Sequence, residues 1–230
     1  LVKYSWIFLV LVGALTLQAQ ETAEDKLGSW HLLSITPRIS NTLSLQASVQ
    51  SRYYEQLRNF NQFIVRTGII YDFNPRISAT FGYGYIVTDT TFAVKPKEGY
   101  KNEHQFGEQI TLKDKIGRVE TEHRFWLEQR LVHVGDGFDM RHRARYRLQI
   151  NLPLNTLLYL NFHEEVFFNL RGKAFAQNRL YGALGVRMAS HVSLQAGYFR
   201  TYANHDHLDR LRIAVFYNPD WRKKNSAGTP

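Results

Sequence analysis

The sequence contains no cysteine, which excludes disulfides, thiolate metal ligands and a lipoprotein-type leader. Long apolar runs are equally scarce. The continuous stretch Trp6-Ile7-Phe8-Leu9-Val10-Leu11-Val12 is too short to cross a bilayer as a helix, which takes about 20 apolar residues. It also lacks the amphipathic spacing of a buried helix. Nothing later in the chain comes nearer to that length, so any membrane insertion of the remainder must use strands. Proline is sparse and falls largely between periodic segments, at Pro37, Pro75 and Pro153.

What the N-terminus does contain is a positive residue, Lys3, then the apolar run, then Leu17-Gln18-Ala19-Gln20 ahead of a polar, acidic stretch. That three-part pattern predicts a signal peptide over residues 1–20, cleaved near Ala19 or Gln20. The rest is long enough for one domain, expected as a barrel over residues 21–217 followed by a polar C-terminal tail over 218–230. The basic run Arg222-Lys223-Lys224 in that tail reads as a solvated terminus. The chain carries a formal charge of +9. Such a balance would ordinarily raise nucleic acid as a partner, but an exported protein meets envelope lipids and lipopolysaccharide instead. No nucleic-acid partner is expected.

The body alternates at period two. Over 139–152, Asp139, Arg141, Arg143, Arg145, Arg147, Gln149 and Asn151 share one face, while Met140, Ala144, Tyr146, Leu148 and Ile150 share the other. Successive strand side chains point to opposite faces, whereas a helix would mix the two sets. Residues 118–131 set Glu120, Glu122, Arg124, Glu128 and Arg130 against Val119, Phe125, Leu127 and Leu131. Segments 42–53, 62–73 and 76–88 repeat the pattern, as do 155–168, 177–188, 191–202 and 208–217; 28–36 and 103–112 carry it more weakly. Turns at 36–38, 74–76, 113–117, 152–154 and 189–191 are short, and the linkers 54–61, 89–102, 132–138, 169–176 and 203–207 longer. Pro37-Arg38-Ile39-Ser40 recurs as Pro75-Arg76-Ile77-Ser78, which suggests repeated hairpins.

The predicted fold is all-β: a single antiparallel up-and-down transmembrane β-barrel of about 10–12 strands. Eleven segments conflict with the even strand number of bacterial single-chain barrels. The parity is restored if 28–36 is not a full wall strand or if the 89–102 linker hides another. A soluble periplasmic ligand-binding barrel would show the same alternation with its faces exchanged. Aromatics near strand ends, including Tyr53, Phe63, Phe73, Tyr83, Tyr85, Phe168 and Tyr217, favour the membrane version with its interfacial girdles. Glu108, His123 and Glu164 break the pattern by falling on the apolar face.

The chain resembles a family of small Gram-negative outer-membrane barrels catalogued as domain of unknown function 2490. The resemblance is carried by Trp30, Arg52, Gly82-Tyr83-Gly84-Tyr85, His123-Arg124 with Glu128-Gln129-Arg130, Arg141-His142-Arg143-Ala144-Arg145, His163-Glu164-Glu165-Val166-Phe167 and Gln177-Asn178-Arg179. It implies a membrane barrel in the bacterial outer membrane over nearly the whole mature chain, and implies no activity or catalytic residues.

The candidate lumen residues are Arg124, Glu128, Arg130, Arg141, Arg143, Arg145, Arg147, His163, Glu165 and Arg179. Strand polarity places Glu128 near Arg141, Arg143 or Arg145, with Glu120, Glu122 and Glu165 available to other arginines. Such a row either fills a narrow barrel with paired charges or forms a basic constriction selecting anions. The expected role is therefore a structural envelope protein or a narrow channel for small anionic solutes. The alternative is an enzyme modifying outer-membrane lipid or lipopolysaccharide, disfavoured because no nucleophile motif is visible. His163 with Glu165 and His205 with His207 lack a third ligand at metal-site spacing, so no metal or other cofactor is expected. Expected partners are outer-membrane lipids, lipopolysaccharide and, during biogenesis, the barrel-assembly machinery; the sequence leaves the oligomeric state open.

Overall fold

Period-two alternation carries through into eleven strands in the computed structural model, which describes residues 26–91, 100–203 and 206–222. The signal-peptide expectation, the stretch 92–99, His205 and the end of the tail lie outside the described residues. The strands are β1 (Gly28–Ile35), β2 (Leu43–Glu55), β3 (Arg58–Asn74), β4 (Ile77–Thr88), β5 (Lys101–Ile116), β6 (Val119–Val134), β7 (Gly137–Pro153), β8 (Leu158–Asn169), β9 (Phe175–Ala189), β10 (Val192–Ala203) and β11 (Asp206–Tyr217). Neighbours in sequence pair antiparallel, and β1 returns to β11 to close the barrel. With the exception of β1, each strand exceeds the ~9–11 tilted residues needed to span a bilayer.

The barrel is inside-out relative to a soluble protein. Ile69 is 52% exposed, Phe81 57% and Phe125 48%, all on the outer face, whereas Glu128 is fully buried in the lumen. An apolar exterior and a charged interior are the arrangement that lipid stabilises and water would not. This polarity selects the membrane architecture over the soluble one.

Two expectations require correction. The strand number stays odd among the described residues, because 28–35 is a wall strand and closes the barrel through a parallel ladder from Gly28↔Arg210 to Ile35↔Tyr217. The sheet is therefore antiparallel at every seam except this one. A parallel closing pair removes the edge as completely as an antiparallel one, so the parity rule gives way without an unpaired strand. The contrast in loop length is also weaker than the sequence suggests. The linkers 54–61 and 132–138 reduce to Gln56-Leu57 and Gly135-Asp136, since the flanking strands rise past the polar residues. Gly135 and Gly117 turn with φ of 58° and 61°, a conformation that costs glycine little.

At the lower rim, defined by the turns after β1, β3, β5, β7 and β9, polar side chains satisfy the turn backbone. Asn74 Oδ1 accepts from the Arg76 and Ile77 amides at 2.8 and 2.9 Å, and Asn155 Oδ1 serves Leu157 and Leu158 in the same way. Such Asx turns explain the hairpins at both positions. The segment after β11 folds against the β1–β2 connection. Arg38 N donates to Pro219 O at 2.9 Å and Trp221 N donates to Arg38 O at 2.8 Å, while Arg222 pairs with Asp220 and donates to Asn41. Arg222, which stays exposed, thus ties the segment after β11 to the first turn.

The three residues that break the alternation each acquire a cross-strand partner on the outer face. Gln129 donates to Glu108 at 2.8 Å, Asn178 donates to Glu164 at 2.7 Å, and His123 Nδ1 lies 2.9 Å from the Tyr146 hydroxyl. Pairing lowers the cost of a polar group in hydrocarbon but does not abolish it. Glu108 stands beside Leu127 and Phe81 at mid-height. Replacing the Glu108–Gln129 pair by Leu at both positions is therefore expected to stabilise the vesicle-inserted barrel by about 1–4 kcal/mol. A urea titration that places the double variant's midpoint at or below the parent's would refute that account.

Candidate functional site

The lumen is built from one parity class on each strand: even numbers on β1–β4, β6 and β11, and odd numbers on β5 and β7–β10. Antiparallel register then sets charged side chains opposite one another across neighbouring strands, some of opposite and some of like sign. Glu128 lies opposite Arg143 on β7, Arg124 opposite Arg147, and Arg147 opposite Glu165 on β8. Longer side chains reach the next level up or down.

The centre of this arrangement is Arg145. Its Nη1 donates to Glu128 at 2.6 Å and its Nη2 to Glu165 at 2.7 Å. The guanidinium lies 4.2 Å from the Trp126 ring centroid and 4.4 Å from that of Phe167, so aromatic faces cover it on either side. Arg143 Nε donates to the second oxygen of Glu128 at 2.6 Å, and Arg124 donates to Glu165 at 2.5 Å. Two carboxylates thus hold three guanidiniums in a continuous network. Arg147 pairs with Glu122 at 2.5 Å, and Arg130 grips Glu103 through two hydrogen bonds of 2.6 Å. Fork-to-carboxylate contacts of this kind are the strong class of charged hydrogen bond.

Of the ten candidate residues, eight are brought together directly in or beside this network: Arg124, Glu128, Arg130, Arg143, Arg145, Arg147, Glu165 and Arg179. His163 lies one level below Glu165 on the same face, with its ring 4.6 Å from that of Tyr181. Arg141 is set apart. It pairs with Asp139 at 2.8 Å near the upper rim, half exposed. Among the described residues, no group of three or more His, Asp or Glu is arranged to hold a metal ion.

Sequence reasoning did not select Glu103, Trp126, Arg52, Arg66 or Arg212. The last three differ electrostatically from the rest. Arg52 donates to Gln50 and Gln62, with its guanidinium carbon 3.8 Å from the Trp30 ring centroid. Arg66 donates to Gln105 at 3.2 Å. Arg212 lies 4.9 Å from the Tyr181 ring. Among the described residues, none of these and not Arg179 has a carboxylate within ion-pair distance. The parity signal that could have placed Arg52 and Arg66 on the polar face was present. Their lack of a partner depends on which walls meet across the lumen.

A cavity of about 700 Å³ runs alongside the network and below it. Its lining extends from Thr36, Ser190 and Asn218 at the lower rim to Arg143 and Arg130. One wall is charged and the other carries Gln46, Ser48, Gln50 and Ser34. The four unpaired arginines border this space.

An inside-out closed barrel with a charged lumen has the fold of a transmembrane β-barrel. The chain belongs to the family described as Protein of unknown function (DUF2490), whose model matches residues 27–212. The solved structure of the NanC porin is similar in fold, with a TM-score of 0.53 at 10% identity, covering 83% of this chain and 96% of that one. The siderophore receptor PirA from Pseudomonas aeruginosa aligns at a TM-score of 0.30 and 12% identity, covering 76% of this chain and 34% of the receptor. No curated protein matches the sequence.

Proposed function

We propose that the protein is a narrow, anion-selective passage of the bacterial outer membrane, reached after export by a cleaved signal peptide over residues 1–20. The observation that carries this reading is the set Arg52, Arg66, Arg179 and Arg212, which border the cavity with no carboxylate within ion-pair distance among the described residues, although Glu165 faces Arg179 across the β8–β9 ladder. A guanidinium removed from water costs several kcal/mol unless a counter-charge compensates. An anion moving through the lumen supplies that charge, whereas a cation meets a repulsive field. The paired arginines matter less for selectivity, because Glu128, Glu165, Glu122 and Glu103 neutralise them locally. On this reading the turns after β1, β3, β5, β7 and β9 face the periplasm, the outer apolar band meets acyl chains and lipopolysaccharide, and the assembly machinery inserts the barrel.

Purified protein in a planar bilayer is expected to give small stepwise currents that prefer chloride to potassium. The double variant Arg66→Gln/Arg179→Gln should lose most of that preference while its folded, heat-modifiable gel band persists. Bilayers that stay silent in high salt would overturn the passage. They would favour a structural envelope role, which the dense Arg145 network in the upper lumen also suits.

A further inference from the structure

The wall formed by β1 and β8–β11 carries a group of side chains that the ion-pair network leaves unused. Trp30, Tyr181 and Phe199 pack as a buried cluster, with ring centroids 4.6 Å apart for Trp30–Phe199 and 5.4 Å for Tyr181–Phe199. Three of the unpaired arginines stand against it. Arg52 and Arg179 lie 3.8 and 5.2 Å from the Trp30 centroid, and Arg212 lies 4.9 Å from that of Tyr181.

The polar atoms here are shielded and make no hydrogen bond with any described residue. They include Trp30 Nε1, Arg179 Nε, Arg212 Nε and the Tyr181 hydroxyl. Trp30 and Tyr181 are only 7% and 4% exposed. Of these four groups, the indole and both guanidinium nitrogens can only donate. A partner that satisfies donors and surplus positive charge together is a negatively charged acceptor. A bare hydrated ion would use the arginines and gain nothing from the Trp30 and Phe199 rings that line the cavity. A ligand joining an oxyanion to a flat apolar body would use both, because ring faces and edges add favourable contact energy of their own. The adjoining cavity of about 700 Å³ falls within the ~300–1,000 Å³ span of small-molecule sites.

We infer that this wall is a saturable binding site for a small ring-bearing oxyanion, a carboxylate or a phosphate ester, whose charged end is held by Arg179 and Arg212 and whose body packs on Trp30 and Phe199, the two members of the cluster that line the cavity. The inference rests on the reading of the lumen as an anion path and adds to it a site with a preference for shape.

Isothermal titration of the purified, detergent-solubilised barrel with phenyl phosphate, benzoate and inorganic phosphate tests it. At least one ring-bearing anion should saturate about tenfold more tightly than inorganic phosphate, and the tighter of the two distinguishes phosphate ester from carboxylate. Arg212→Gln should weaken that binding about tenfold or more. Trp30→Phe, which keeps a ring and removes the indole donor, should weaken it several-fold, and Arg76→Gln in the β3–β4 turn should leave it unchanged. Equal affinity for inorganic phosphate and both ring anions would overturn the site. So would parental binding by a heat-modifiable Arg212→Gln barrel; if that variant does not fold, parental binding by Trp30→Phe overturns it instead. Bilayer recordings separate this from the preceding proposal. Anion-selective current that phenyl phosphate and benzoate both fail to block would remove the site and keep the passage. Saturable binding without any current would keep the site and remove the passage.

Discussion

Replacing Glu128 with Gln is expected to lower the unfolding free energy of the barrel by about 3–5 kcal/mol, the usual cost of breaking a buried ion pair from one side. Glu128 is fully buried and accepts from Arg143 and Arg145 through separate oxygens. The amide keeps the shape and one acceptor oxygen but leaves two guanidiniums with a single neutral partner. Arg145 would retain Glu165, whereas Arg143 would retain no carboxylate within ion-pair distance among the described residues. A urea titration of the barrel in lipid vesicles, followed by tryptophan fluorescence, measures the loss. Arg141→Gln serves as the comparison, since its pair with Asp139 is about half exposed and should be worth less than about 1 kcal/mol. Equal midpoints for the two variants would mean that the central network contributes shape and not energy.

A second large effect is expected from Gly197→Val on β10. A Cβ placed there meets the Gly182 carbonyl oxygen and the Ala183 Cβ at 2.5 Å, and a Tyr181 ring carbon at 2.8 Å. The first obstacle is backbone in the neighbouring strand, so relief requires parting the β9–β10 ladder and not merely turning a side chain. Overpacking of this kind costs about 1–3 kcal/mol, sometimes more. It would also push Tyr181 out of the cluster with Trp30 and Phe199. The variant should therefore unfold at lower urea and bind phenyl phosphate or benzoate, whichever the parent prefers, more weakly. A midpoint within error of the parent's would show that the ladder yields easily at this point.

Gly197 illustrates what the alternation could not reveal. Its position on the lumen face follows from parity, but the need for glycine follows from Gly182 and Ala183 on the adjacent strand. The arginine row of β7 was readable because four like charges fall at every second residue within one segment. Pairing of Glu128 with that row followed from the hairpin alone, because β6 and β7 are consecutive and antiparallel. Glu103 was harder to select, since β5 alternates weakly and its partner Arg130 had to be matched across a long strand. Arg52 meets Trp30 across the β1–β2 pair, which is local in sequence, whereas Arg212 becomes a neighbour of Trp30 only when β1 closes onto β11.

That seam marks the division. The sequence by itself determined the inside-out strands, their approximate limits and a charged lumen, because these depend on local period and on which side of a strand a residue faces. The strand number, the parallel closure and the division of arginines into paired and unpaired sets were decided by tertiary structure. The physical reason is that ion pairing depends on distance across the barrel, and that distance exists only after the first and last strands have met.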